Sequence, residues 1–210
     1  YQSINITKKG HGPPIILSSA QDIPQAIEVK ELPVSISNGA NFFINNNAVT
    51  DFTHGLAKYP AKYIPQIPRW AIINYSKKGD LVLDPFNGSG TTSLECLINK
   101  RDYTGIDINP FAILASDVKT KYIPIATSEK YILDLQESIK ELNKSKKYKR
   151  IDFELKEFWF NPKVLDEIFL IKTGIDLIKN KGVQRLMLLS LSSIIKKVSY
   201  QDEGQLKVKR

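Results

Sequence analysis

Only one cysteine, Cys96, occurs in the 210 residues, so no disulfide can close within the chain. That fits a reducing cytoplasm. Two histidines beside a single cysteine argue against a structural zinc site, which takes four such ligands. No apolar run approaches the roughly 20 residues needed to span a bilayer. No charged-then-apolar leader precedes a small-residue cleavage site. Methionine does not stand first; Tyr1 does, which reads as a chain processed, trimmed or cut from something longer. Hydrophobic residues make up 42% and charged residues 25%, an ordinary soluble composition, and the length suffices for one domain with a sizeable core. A formal net charge of +8 suits either a polyanionic partner such as nucleic acid or a merely basic soluble surface.

Residues 1–50 read as an irregular N-terminal extension. Pro13, Pro14, Pro24 and Pro33 punctuate it, and Asn45, Asn46 and Asn47 read as a loop. Short apolar pieces at 15–17 and 34–36 suit strands or edge segments. Residues 65–75 read as a helix with proline in its first turn, where a missing N–H costs little. A turn over 77–80 leads to Leu81, Val82, Leu83 and Asp84, an apolar run of the kind that forms a buried parallel strand. A glycine-rich loop over 85–90 precedes a helix over 91–99, with Leu94 and Leu97 or Ile98 facing inward. A second strand over 103–107 again ends in an acid. A third helix opens at Asn109 and Pro110 and runs to about 119. This strand–loop–helix–strand–helix order is the start of a doubly wound α/β sheet. Beyond it, 122–125 suits a short strand or a connector, 128–142 a helix, and 144–150 (KSKKYKR) a basic loop. Two further helices cover 162–180 and 183–198. The second is almost wholly apolar from Leu186 to Ile195, as a buried helix would be. The tail over 205–210 is polar and basic.

Chemistry concentrates in Asp84, Pro85, Phe86, Asn87, Gly88, Ser89, Gly90, Thr91 and Thr92. An acid at the C-terminal end of such a strand faces the ligand crevice of an open α/β sheet. Gly88 and Gly90 permit positive φ and close approach of backbone to ligand. The helix that follows presents free N–H groups to anionic ligand groups, whereas the leading acid favours a cationic amine. Asp107 lies 23 positions after Asp84, at the end of the next strand. There a carboxylate can accept from both hydroxyls of a ribose. The alternative for Asp107 is a helix cap ahead of Pro110.

A dinucleotide fingerprint needs a third glycine where Ser93 stands, and a phosphate-binding Walker loop needs a lysine that is absent. What remains resembles motif I of the S-adenosylmethionine-dependent methyltransferases. The form DPFxGSGTT is similar to that of the DNA amino-methyltransferases, with looser relatives among RNA guanine methyltransferases. Two further segments strengthen the resemblance. Residues 54–65 (HGLAKYPAKYIP) look like the family's motif X, which packs beside motif I and helps hold the methionine end of the cofactor. This implies contacts from Pro60, Ala61, Lys62 and Tyr63, against a plain reading of Lys62 as a solvated surface lysine. His54 is assigned no catalytic role and reads as a loop histidine. Residues 105–110 (GIDINP) look like motif II, which implies that Asp107 binds ribose and Ile108 packs on adenine. The resemblance is close over 52–120 and looser through Phe158, Trp159, Phe160, Asn161 and Pro162 to about 198.

The family also carries motif IV, an [Asp/Asn/Ser]-Pro-Pro-aromatic tetrapeptide whose acceptors orient the target amine while the aromatic stacks on a flipped base. The single Pro-Pro here, Pro13-Pro14, is flanked by Gly12 and Ile15 and reads as a turn. No catalytic residue is therefore assigned, and Cys96 reads as core. The order X–I–II resembles the class in which motif IV follows later in the chain; a permuted order would place it earlier.

The resemblance implies an incomplete Rossmann-like class I methyltransferase fold, divided into an extension over 1–50, an S-adenosylmethionine-binding α/β region over 51–127 and a helical segment over 128–210. It implies methyl transfer from S-adenosylmethionine to N4 of cytosine or N6 of adenine in double-stranded DNA, leaning to cytosine, in a restriction–modification setting. A second segment or chain would carry motif IV. The rival readings are an RNA guanine-N2 methyltransferase and a non-catalytic cofactor- or DNA-binding subunit.

Overall fold

The computed structural model describes residues 26–37, 40–44, 50–60 and 62–201. The readings placed on 13–17, Pro24, 45–47, Ala61 and 205–210 lie outside the described residues. Among the described residues the architecture is mixed α/β with two short parallel strand pairs. The first pair joins β1 (Ile27–Val29) to β2 (Phe42–Ile44), with Ile27 opposite Phe42. Neither was foreseen, and residues 34–36, offered as a strand, are not in one. Three-residue strands are too short for an alternating pattern to declare itself.

The second pair frames the site. Helix α1 (Gln66–Tyr75) leads through a turn, in which the Lys77 amide donates to Asp80 Oδ2 at 2.8 Å, into β3 (Leu81–Asp84). Helix α2 (Thr91–Ile98) crosses over to β4 (Asp102–Gly105), which pairs parallel to β3 with Leu81 opposite Asp102 and Asp84 opposite Gly105. In-register pairing brings both strands to their C-terminal ends at one level, which is where a parallel sheet places its loops. The buried Arg101 anchors the opposite end. Its guanidinium donates to the Asn99 carbonyl at 2.6 Å and the Ser76 carbonyl at 2.7 Å, tying the end of α1 to the start of β4.

Helix α3 (Pro110–Lys119) starts as its sequence requires. Asn109 Oδ1 accepts from the Phe111 amide at 2.9 Å, and Pro110 takes the first helical position. The same device, Asn161 before Pro162, starts α6 (Pro162–Asp176). Between them lie α4 (Ile125–Ser145), which begins three residues before the expected 128, and the four-residue α5 (Lys156–Trp159). Residues 121–124 form a connector without secondary structure. Helix α7 (Lys181–Val198) packs on α6 and α3, and α6 packs on α4. Ala57, Ala115, Val118 and Leu189 form the core where α3 meets α7, with Phe111, Leu114 and Leu186 around them. The expectation that α7 is buried all round is corrected. Leu189 and Leu191 are buried, but Ile194 is 42% exposed, because neighbours cover only one side. On α2, Leu94 points inward as expected, whereas Leu97 is 42% exposed.

Candidate cofactor site

The loop between β3 and α2 is shaped by two left-handed glycines. Gly88 has φ +51° and Gly90 has φ +81°. At Gly90 a Cβ would lie 2.4 Å from Ser116 Oγ, so α3 passes too close for any side chain. Asn87, within the same loop, turns inward. Its amide nitrogen donates to Ser116 Oγ at 2.8 Å and its carbonyl accepts from Ser93 Oγ at 2.7 Å, fastening the loop to α3 and α2. Gly105 gives it room, since a Cβ there would meet the Asn87 side chain at 2.5 Å. Among the nine motif residues, the Asn87 side chain is thus engaged within the protein. Thr91 is buried, Ser89 is 2% exposed, and no side chain caps α2. The N–H groups of the first helical turn are left without a side-chain acceptor.

Two carboxylates stand over this loop. Asp107 Oδ2 accepts from the Gly88 amide and its Oδ1 from the Asn109 amide, both at 2.8 Å. It therefore couples the two strand-end loops. The cap of α3 is Asn109, one position before Pro110, so the helix-cap alternative for Asp107 does not hold. Asp84 Oδ1 accepts from the Phe86 amide at 3.0 Å, and its Oδ2 accepts from the Tyr63 hydroxyl at 3.1 Å. A carboxylate oxygen has two lone pairs, so each acid keeps acceptor capacity for a ligand. Beside them, Ile108 is 99% exposed and Phe86 is 86% exposed. Pro85 is exposed as well.

Tyr59 and Tyr63, both from the segment read as motif X, reach the loop. Tyr63 bonds both Asp84 and Thr92 through one hydroxyl, and burial together with the Asp84 charge raises its pKa despite the Thr92 bond. The Tyr59 ring edge passes 3.5 Å from the position of a Cβ on Gly88. Pro60 is exposed. Lys62 is not a free surface lysine. It is half-buried, and its Nζ donates to the His54 carbonyl at 2.8 Å.

Sequence reasoning missed what fixes this segment. His54 is fully buried and its Nε2 lies 2.8 Å from Glu95 Oε1. Arg69 donates from Nε to Glu95 Oε2 at 2.9 Å and from a terminal nitrogen to Oε1 at 3.0 Å. Burial acts to raise the Glu95 pKa, but the bonds from His54 and Arg69 and the Arg69 charge outweigh it and hold the carboxyl below its ordinary value. The three residues lie 26 and 41 positions apart, so no local pattern announces them. Cys96 is wholly buried, and burial pushes its thiol up to about 11, consistent with core and not with a nucleophile.

Against known proteins, residues 36–118 match the family described as DNA methylase. Over that region the chain resembles the N6/N4 DNA amino-methyltransferases. It is 30% identical over 177 residues to the type II methyltransferase M.MvaI of Kocuria varians, an alignment covering 80% of this chain and 39% of that protein. It is 36% identical over 96 residues to the type II methyltransferase M.MjaII of Methanocaldococcus jannaschii, covering 46% of this chain and 18% of that one. It is 34% identical over 67 residues to the orphan methyltransferase M.BamHII of Bacillus amyloliquefaciens, covering 31% and 25%. The chain thus spans well under half the length of these relatives. No solved structure matches it significantly.

Proposed function

We propose that residues 51–127 form the S-adenosylmethionine-binding unit of a site-specific DNA amino-methyltransferase with a Rossmann-like class I fold. One observation carries the reading. Asp84, at the end of β3, and Asp107, two residues beyond the end of β4, stand over a loop whose two glycines adopt positive φ. Asp107, already fixed by two amides, would take the ribose hydroxyls. Asp84 would face the cationic amino-acid end, together with Tyr63 and the first-turn amides of α2. Ile108 and Phe86, almost wholly exposed, offer apolar surface for the adenine ring. The donor set fits the group, with acceptors for hydroxyls, an acid for an ammonium and N–H groups for a carboxylate. Bound there, the cofactor supplies a methyl group on a sulfonium, and the protein's task is to hold the target nitrogen in line with it.

No acceptor pair and stacking aromatic of the motif IV type occurs in the sequence. The reading therefore places the amine-orienting residues on a further segment or partner chain. The surface of β3 supports this. Among the described residues β3 pairs only with β4, and a trough of about 670 Å³ runs along its other flank from Asp84 and Tyr63 past Leu83 to Tyr75. Leu83 is 60% exposed there and Tyr75 79%. The substrate is N4 of cytosine or N6 of adenine in double-stranded DNA. The setting is a restriction–modification system in the cytoplasm. In a tritiated methyl-transfer assay on mixed-sequence DNA, residues 1–210 alone transfer nothing measurable, and adding the motif IV segment, fused or in trans, restores transfer. Robust transfer by the purified chain alone would contradict the division of labour.

A further inference from the structure

Lys119, the last residue of α3, is 2% exposed. Its Nζ donates to Ser89 Oγ at 2.9 Å, from beneath the glycine loop. An ammonium has three donors, and this one has a single neutral acceptor and no carboxylate within ion-pair reach among the described residues. The charged groups packed around α3 do not neutralise it. Glu95 of α2 is taken up by His54 and Arg69, and Arg185 of α7 is paired with Asp117. The charge that acts on Lys119 is that of Lys62, a second cation, which among the described residues donates only to the His54 carbonyl. A buried cation without a counter-ion is costly, and two beside one loop make a positive field that a neutral fold does not require.

We propose that Lys119, backed by Lys62, is a positioning residue that holds a fixed positive charge behind the Gly88–Gly90 loop for the carboxylate of the cofactor's amino-acid end. The inference rests on the cofactor reading above and adds a residue outside all three motifs. Lys119 acts through Ser89 and through its field, without touching the ligand. Burial, with Lys62 adding to it, lowers the Lys119 pKa to about 8, so part of the protein carries a neutral amine in mildly alkaline solution. An anion arriving at the loop favours the ammonium form and draws a proton onto Nζ from solvent.

The test is calorimetry of S-adenosylhomocysteine binding at about pH 8.5 in two buffers of different ionisation enthalpy, which counts protons taken up. The probe's own α-amine also titrates in alkaline solution, but it does so with every variant, so differences between variants carry the result. Wild type takes up roughly half a proton more than Lys119→Arg, whose guanidinium is already charged. Lys119→Met, measured near pH 7 with its fold checked by circular dichroism, binds about 10- to 100-fold more weakly, and Lys119→Arg recovers most of that loss. Equal proton uptake in wild type and Lys119→Arg, or unchanged affinity in a folded Lys119→Met, overturns this inference and leaves the cofactor reading standing. Failure of wild type to bind overturns both.

Discussion

Glu95 shows how a single residue sets the site without entering it. Its carboxylate receives His54 from the 54–63 segment and Arg69 from α1, so one buried acid clamps two elements against α2. Removing it leaves Arg69 and His54 without their shared acceptor. Glu95→Ala should cost about 3–5 kcal/mol, the range for breaking a buried ion pair from one side. The sign of the pH dependence follows from the lowered pKa. The native state holds the Glu95 proton less tightly than the unfolded chain. Its stabilisation is full above the ordinary carboxylate value and is lost as pH falls through the lower native one. Denaturant melts of wild type and Glu95→Gln should therefore differ at neutral pH and converge in strong acid; a gap that stays constant with pH would contradict this. The cluster was not legible in the sequence, where His54 reads as a loop residue and nothing singles out Glu95. What makes it a unit is the crossing of α1, α2 and the 54–63 loop. The sequence suggested a second strand running to Asp107, but β4 ends at Gly105; the positions of Asp84 and the two glycines were legible because they depend on neighbours in sequence. A strand end, a tight turn and a helix start are local events.

At the scale of elements, the loop between β3 and α2 is fixed by close packing on α3. Gly90 has both a left-handed backbone and no room for a Cβ beside Ser116. Gly90→Ala should destabilise by about 2 kcal/mol or more, from the left-handed penalty and the overlap together. Ser116→Ala in the same background should relieve only part of it, since the backbone strain remains. Thermal melts of wild type and the two variants check this, and a neutral Gly90→Ala would show that α3 can withdraw. Helix positions were legible wherever an asparagine cap met a proline, at Asn109–Pro110 and Asn161–Pro162. The ends of α4 and the existence of α5 were not, because α4 has no side-chain cap and α5 is one turn long. The exposure of α7 was misread because apolar content alone does not say how many sides of a helix are covered.

For the whole molecule, net charge +8 and the basic run over 144–150 point towards polyanion binding. The structure refines which charges are available. Arg150 is committed to Asp166, with bonds of 2.8 and 3.0 Å, while Lys144, Lys147 and Lys149 have no ion pair among the described residues. Affinity for duplex DNA should fall steeply with salt, with a slope of about 0.9 per phosphate contact. Replacing Lys144, Lys147 and Lys149 by glutamine should lower that slope, and an unchanged slope would make the run a solvated loop.

S-adenosylmethionine binding is proposed to rest on Asp84 at the end of β3, Asp107 two residues beyond β4, and the glycine loop beneath them. Titration calorimetry of the cofactor into wild type and Asp107→Ala tests it most directly. Wild type should bind at one site, and Asp107→Ala, which leaves hydroxyls without their acceptor, should bind more weakly by about 1–3 kcal/mol while circular dichroism shows it folded. Equal affinity in a folded Asp107→Ala, or no binding by wild type, would contradict the account.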